Sequence, residues 1–248
     1  MISVCILTKN SARTIGKCLD AIYYEDIVDE ILLLDTGSTD KTLDIVSRFP
    51  KIRVFHQDGI TNFGETRNFI SSHAKNDWIL HIDSDEFLPP EFFRELMRIE
   101  LTSNVVYEIS RRMFYRERPL PGFDTRTKRL YNRSATQWNN RAVHEVVSIK
   151  EGMKIGRINS LIDHHSYDSC GQLIQKAQNY STLFADQFTG KKSASPWSAV
   201  MHGSWAFFRF YFLKRNLFRG YAGFITSFCF SIASFLKYVK LHERNERR

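Results

Sequence analysis

Four short apolar runs alternate with helix-patterned segments over the first hundred residues, and this alternation limits the folds open to the chain more than any other feature. Residues 2–8 (ISVCILT), 30–34, 52–55 and 77–82 read as strands. Helices are expected from a cap at Asn10 or Ser11 to about Tyr23, after the Asp35-Thr-Gly-Ser-Thr-Asp loop to about Phe49, over 63–74, and from Pro89-Pro90-Glu91 onward. A βαβαβαβ order predicts an α/β fold with a doubly wound, mostly parallel sheet. Ligands of such sheets bind beyond the carboxyl ends of the strands. Those ends carry Thr8-Lys9-Asn10, Asp35-Thr36-Gly37-Ser38 and Asp83-Ser84-Asp85, so three polar clusters should share one crevice.

The pattern changes after Leu101. Strand-like pieces at 105–110, 129–131, 143–149 and 158–162, joined by Arg-rich loops, predict a mixed-sheet extension. From Ser169 the chain reads as helical: Ser169 and Gln172 match a capping box, and further helices are expected over 196–214 and 221–242. The expected division is an α/β body over 1–167, whose pattern changes between 1–100 and 101–167, followed by an amphipathic helical region at 168–248.

Composition narrows the class. With 248 residues, 43% of them hydrophobic and 14% aromatic, disorder is excluded. Cys5, Cys18, Cys170 and Cys229 show no paired spacing, which predicts buried thiols in a reducing compartment. The chain opens directly on a strand without a basic leader, so a cytoplasmic body is expected. The formal charge of +8 is concentrated late, with nine Lys/Arg against two Glu over 199–248. That asymmetry calls for an anionic partner.

The stretch HIDSDEF places Asp83, Asp85 and Glu86 at the exit of the fourth strand. Uncompensated carboxylates there would repel one another, so positive charge must lie nearby. If the stretch stays extended, Asp83 and Asp85 point the same way, and two hard oxygens suit Mn²⁺ or Mg²⁺, which can neutralise a diphosphate. Helix capping is the plainer alternative. Asp35 suits hydrogen bonding to a nucleotide, or turn formation with Gly37, or both. Neither a G-x-G-x-x-G after the first strand nor a P-loop occurs.

ISVCILTKN, DEILLLDTGSTDKT, FGETRNF and DWILHIDSDEF, in this order and spacing, resemble the inverting, GT-A-fold enzymes of glycosyltransferase family 2. VHE at 143–145, HHSY at 164–167 and the tail FFRFYFLKRNLFRGYAGF are similar to the branch containing bacterial lipopolysaccharide-core β-glucosyltransferases. The resemblance implies that Thr8 and Asn10 lie beside the nucleotide, that Asp35 and Arg67 meet the base, and that Asp83 touches ribose with Ser84 alongside. It further implies Asp85 as a metal ligand. Ser11 departs from the Glu that many relatives carry, and no role is assigned to it.

Inverting transfer needs a base for the acceptor hydroxyl. Glu145, next to His144, stands where family members carry an acidic residue facing the acceptor; Asp124 is the substitute, and a surface ion pair of Glu145 with Arg141 or Lys150 is the plainer reading. His164 and His165 are candidates for the metal shell. Arg111, Arg112, Arg126 and Lys128, in a basic run that also holds Arg129, would meet acidic or phosphorylated groups of the acceptor or be a solvated face.

Thirteen of the 34 aromatic residues follow position 198, among them Trp205, Phe208, Phe212, Phe218 and Phe224, interleaved with Arg209, Lys214, Arg215 and Arg219. The apolar segment 221–236 is shorter than the ~20 residues of a spanning helix. Peripheral contact with an anionic membrane is therefore expected, on the inner face of the cytoplasmic membrane. No nucleic-acid-binding motif is present. The expected activity is metal-dependent transfer of a hexose, glucose first, from a UDP-sugar to a membrane-held glycan such as lipopolysaccharide core. The rivals are an aspartyl phosphohydrolase using Asp83 and an inactive membrane adaptor.

Overall fold

A computed structural model describes residues 1–60, 62–120, 122–140 and 145–247 of the chain. The chain forms two compact units, residues 1–112 with 125–164, and residues 113–124 with 165–248.

The first unit opens with β1 (Ile2–Thr8), α1 (Ile15–Asp20), β2 (Val28–Asp35), α2 (Thr42–Val46), β3 (Ile52–His56), α3 (Phe63–Ser72) and β4 (Trp78–Asp83). β1 lies between β2 and β4, and β3 flanks β2, all parallel. Every residue of β1 is buried, as expected of a strand covered on both faces. The period of two divides the core: Val4, Ile6, Leu33, Leu80 and Ile82 pack with Ile15 and Leu19 of α1, while Cys5, Leu32, Leu34 and Ile79 pack with Ile70 of α3. Each such fully buried aliphatic side chain contributes about 1.5–3 kcal/mol.

The parallel order ends at β4. Beyond it come β5 (Glu86–Phe87), α4 (Pro90–Leu96), β6 (Val105–Tyr115), β7 (Arg118–Pro119), β8 (Thr125–Asn132) and β9 (Lys154–Tyr167). β8 runs antiparallel to β4 and to β6, β9 runs antiparallel to β5, and the strand order is β3-β2-β1-β4-β8-β6-β9-β5, with β7 on the end of β6. The sheet is thus mixed as a whole, parallel from β3 to β4 and antiparallel in the pairings of β4 with β8, β8 with β6, β6 with β7 and β9 with β5. In place of a strand at 143–149, the described residues show a single bridge, Trp138 to Val147. Arg141, Val143 and His144 lie outside the described residues.

α1 starts at Ile15, later than a cap at Asn10 or Ser11 would give. Asn10 sits at φ 50° and its Oδ1 accepts from Thr39 N at 2.8 Å, so it ties the end of β1 to the loop after β2.

The second unit is built on α5 (Cys170–Phe188), α6 (Pro196–Phe208) and α7 (Gly220–Glu246). Ser169 Oγ accepts from Gln172 N, as a cap should, but the Gln172 side chain accepts from Asp168 N. Ser195 and Ser198 form a complete capping box at α6, with Pro196 in the first turn. The helix expected to run to Lys214 stops at Phe208, loosens into a wide turn over Arg209–Leu213, and reverses at Arg215, whose φ is 56°. All four cysteines are free thiols, three of them buried.

Candidate active site

Register places the polar clusters side by side. Thr8 pairs with Asp35 across β1 and β2, and Leu7 pairs with Asp83 across β1 and β4. Asp35 Oδ2 accepts from Gly37 N (3.2 Å) and Ser38 N (3.1 Å), a turn that requires the positive φ of Gly37. Asp35 Oδ1 and Thr8 Oγ1 are buried with no hydrogen-bond partner among the described residues. The two readings of Asp35 thus divide between its oxygens: one closes the turn and the other is left for a donor. Asn10 holds the neighbouring loop, and Ser84 Oγ meets Ser11 Oγ at 2.7 Å.

HIDSDEF is not extended. Asp83 ends β4, Ser84 and Asp85 turn, and Glu86 Oε2 accepts from Asp83 N at 2.9 Å. Asp83 and Glu86 share the same two arginines, Arg111 and Arg129, whereas Asp85 turns to His164. Arg67 of α3 reaches Asp83 Oδ1 at 2.8 Å, and Arg129 of β8 reaches Oδ2 at 2.6 Å. Arg111 of β6 binds the fully buried Glu86 at 2.9 Å and lies 3.8 Å from Asp83. Burial by itself would raise the Asp83 pKa, yet Arg129 and Arg67 outweigh it and hold the carboxyl well below the usual range. The positive charge that the motif demands is thus supplied in part by three arginines, two of which, Arg67 and Arg129, also lie over the Trp138 ring (4.8 and 5.8 Å).

Arg67 keeps Nε and Nη1 buried without hydrogen-bond partners among the described residues, and Glu145 Oε1 approaches its Nε at 4.0 Å. Glu145 thus stands beside the residues expected to bind the nucleotide. Asn68 of α3 fixes the approach: its side chain accepts from Trp138 N (2.9 Å) and donates to Trp138 O (3.0 Å). At the same end of α3, a side chain in place of Gly64 would run into the Asn139 carbonyl, and Asn62 bonds Asn140.

Beside Arg67 lies a buried polar network in which His81 Nδ1 alone has no hydrogen-bond partner among the described residues. Ser71 Oγ donates to the Arg67 carbonyl (2.7 Å), so its contacts with His81 Nε2 (2.8 Å) and Tyr131 OH (3.0 Å) are accepted ones, which places the His81 proton on Nε2. Burial, reinforced by Arg67 and Arg129 against the opposing Asp83, pushes the His81 pKa well below its ordinary value. Unfolded, this histidine binds a proton near pH 6.5; folded, it does not. Stability should therefore fall as pH drops below about 6.5, by at most ~1.4 kcal/mol per pH unit from this group. Urea unfolding between pH 5 and 8 checks this, and His81→Gln should flatten the slope.

His164 Nε2 lies 3.4 Å from Asp85 Oδ1, and His164 Nδ1 has no hydrogen-bond partner among the described residues. A ligand set of Asp83, Glu86 and His164 fits within 4.8 Å. The first two of these are already neutralised by buried guanidiniums, which a cation would have to displace. Asp85, partly exposed, and His164 offer a carboxylate oxygen and an imidazole nitrogen without that conflict, a donor pair that Mn²⁺ or Mg²⁺ accepts.

The other expected residues are dispersed. His165 belongs to the second unit, stacked on Phe114 at 4.4 Å, and Asp124 is exposed in that unit. Arg112 pairs with Asp163 at 2.6 Å, Lys128 lies 3.7 Å from Glu108, and Arg126 is exposed on β8. Arg111 alone of the four basic candidates turns into the Asp83 cluster. Glu86, Arg129 and Trp138 are site residues that spacing did not single out. Glu86 lay within the quoted motif, whereas Arg129 joins only through the pairing of β8 with β4.

Glycosyl transferase family 2 matches residues 3–150, more than half of the chain. The chain belongs to this family. A Rickettsia felis protein called an uncharacterized glycosyltransferase is 30% identical over 98% of this chain and 89% of its own length, and a Rickettsia bellii counterpart is 31% identical over 98% and 86%. Among solved structures, glucosyl-3-phosphoglycerate synthase from Mycobacterium tuberculosis, in complex with Mn²⁺, UDP and glucosyl-3-phosphoglycerate, is 27% identical over 47% of this chain and 44% of that enzyme, with a TM-score of 0.37. S. aureus TarS is 14% identical over 94% and 90%, with a TM-score of 0.47. Membership rests on the family match and the Rickettsia relatives. As a family 2 glycosyltransferase the chain is an enzyme, which displaces the phosphohydrolase and adaptor readings.

Proposed function

We propose that the chain transfers a hexose, glucose in the first instance, from a UDP-sugar to a hydroxyl of a membrane-held glycan, with inversion. Lipopolysaccharide or lipooligosaccharide core is the favoured acceptor, met at the inner face of the cytoplasmic membrane. The observation that carries the donor assignment is a set of buried polar atoms without hydrogen-bond partners among the described residues: Asp35 Oδ1 and Thr8 Oγ1 at adjoining strand ends and, on α3 beside Asp83, Arg67 Nη1. An acceptor and a hydroxyl next to guanidinium donors match the alternating donor and acceptor edge of a uracil, and buried polar atoms of this kind cost stability until a ligand satisfies them.

In this reading Asp35 and Arg67 take the base, with Thr8 and Asn10 lining its approach, and Asp83 and Ser84 meet the ribose. Asp85 with His164 would hold Mn²⁺ or Mg²⁺, and the bound ion would supply positive charge to the leaving diphosphate. Glu145 takes the proton of the acceptor hydroxyl as that oxygen attacks the anomeric carbon from the face opposite the diphosphate. Arg67 orients Glu145 through the 4.0 Å approach of its Nε. Arg126 and Lys128 are available for acidic groups of the acceptor, whereas Arg111 and Arg112 contribute through the carboxylates they pair with.

Thermal unfolding tests the donor and the ion together. UDP-glucose with Mn²⁺ at about 100 times its Kd should stabilise the protein by ~2.7 kcal/mol, which raises Tm by roughly 5–10 °C. UDP-glucose without metal should shift Tm far less. Asp85→Ala should keep the ligand-free Tm and lose the metal-dependent increment. Equal shifts with GDP-, CMP- and UDP-sugars would remove the donor assignment, and a metal-dependent shift intact in Asp85→Ala would remove the ion from this pair.

A further inference from the structure

We infer that the α6–α7 hairpin is a one-sided bilayer-docking face that lies flat on an anionic leaflet, and that α7 does not cross the membrane. This refines the membrane-held acceptor reading above, but it stands on different residues.

Two aromatic stripes carry the inference. On α6 and the turn after it, Trp205, Phe208 and Phe212 recur at helical spacing and are exposed; on α7, Phe224 and Phe228 do the same. The half-buried Phe207 joins the stripes, its ring 6.4 Å from Phe212 on one side and 6.2 and 6.4 Å from Phe224 and Phe228 on the other. Phe218, 78% exposed, stands on the connecting turn. An apolar face of this size is costly in water and marks a docking surface.

Charge selects the occupant. Between Pro196 and Leu236 the chain has no Asp or Glu, while Arg209, Lys214, Arg215 and Arg219 border the aromatic face at the turn. A copy of the same face would bring these cations against one another, whereas an anionic leaflet receives the cations at its headgroups and the rings at the acyl boundary.

Asn216–Glu246 contains a window long and apolar enough to span by length and composition. Two features argue for the flat arrangement. The uncharged stretch between Arg219 and Lys237 is seventeen residues, or ~26 Å of helix, against ~30 Å of hydrocarbon. The C-terminal half of α7 is also bound to α5: Lys240 Nζ donates to Gln178 Oε1 (2.7 Å) and Thr182 Oγ1 (2.8 Å), and Arg244 pairs with Asp186.

The test is co-sedimentation of the full chain with phosphatidylcholine vesicles, with and without phosphatidylglycerol. Phosphatidylglycerol should tighten binding about tenfold or more at low salt, and Lys214→Glu with Arg215→Glu should abolish that preference. Phe212→Ser with Phe218→Ser should weaken binding to both vesicle types roughly tenfold. Both double variants should stay folded, the basic pair at the wild-type Tm and the aromatic pair within about 5 °C of it, since Phe212 gives up ring contacts with Phe207, Phe208 and Tyr211, and alkaline carbonate should release the bound protein. Vesicle binding untouched by either pair would overturn the inference. So would carbonate-resistant retention, which indicates a span, or a dimer in solution that Phe212→Ser with Phe218→Ser dissociates. Turnover is not needed for any of these, so a chain that binds vesicles yet glycosylates only water-soluble acceptors would lose the acceptor assignment and keep the hairpin.

Discussion

Asp83→Ala is expected to cost about 3–5 kcal/mol of stability and to reduce sugar transfer by roughly a thousandfold or more. The reason is geometric. Asp83 is the common partner of Arg67 and Arg129, at 2.8 and 2.6 Å, and both guanidiniums are almost fully buried. Truncating the carboxylate leaves two buried cations which, among the described residues, are answered only by Glu86, 3.7 Å from Arg129 and already bound to Arg111, and by Glu145, 4.0 Å from Arg67 Nε. Breaking a buried pair from one side is costly because the remaining charge is left in a poor solvent. For a domain of this size the Tm should fall by roughly 10 °C, and calorimetry alongside a UDP-release assay would record both losses. A variant within 2 °C of wild type and within tenfold in rate would show that the arginines find other partners. The depressed Asp83 pKa makes its contribution insensitive to mild acid: it is present above the unfolded carboxyl value near 4 and is lost only as pH falls through the lower folded value. Any acid sensitivity near pH 6 therefore belongs to groups such as His81.

The second large effect concerns Glu145→Gln. A base that removes the acceptor proton is worth roughly 10²–10⁴ in rate, so kcat should fall by that factor. Glu145 meets the nucleotide residues only through the long approach to Arg67, so the affinity for UDP should stay within about twofold. Steady-state kinetics with a saturating acceptor, paired with UDP titration, separate the two quantities. A rise in donor KM at unchanged kcat would make Glu145 a binding residue. If Asp124→Asn produced the kcat loss while Glu145→Gln did not, the base would be Asp124.

The parallel half of the sheet was legible because β1, β2 and β4 are largely buried on both faces and so appear as apolar runs, separated by segments of helical period, while β3, mostly exposed at the edge, is shorter and mixed. The strand ends carrying Thr8, Asp35 and Asp83 do lie side by side, as that logic expects. What compensates HIDSDEF was not legible. Its arginines come from α3, β6 and β8, and only the antiparallel pairing of Leu80 with Leu130 brings β8 alongside β4. No local spacing encodes that pairing. The turn at Ser84 and Asp85 was also hidden, since it is closed by Glu86 reaching back to Asp83 N, an interaction that alternation of side chains does not foretell. At the other end of the chain, aromatic spacing continued past Phe208 and gave one long helix, whereas the backbone widens and reverses there at a left-handed Arg215.

Helix α3 carries Arg67 on one turn while its Asn68 holds both backbone groups of Trp138 and its Gly64 leaves room for the Asn139 carbonyl. If Arg67 binds the donor and Glu145 takes the proton, as proposed, both roles hang from this one helix. Any substitution that tilts the helix to admit a different nucleotide will drag the reactive carboxylate with it, so altered donor preference and intact turnover rate should be hard to obtain together by changing α3 alone.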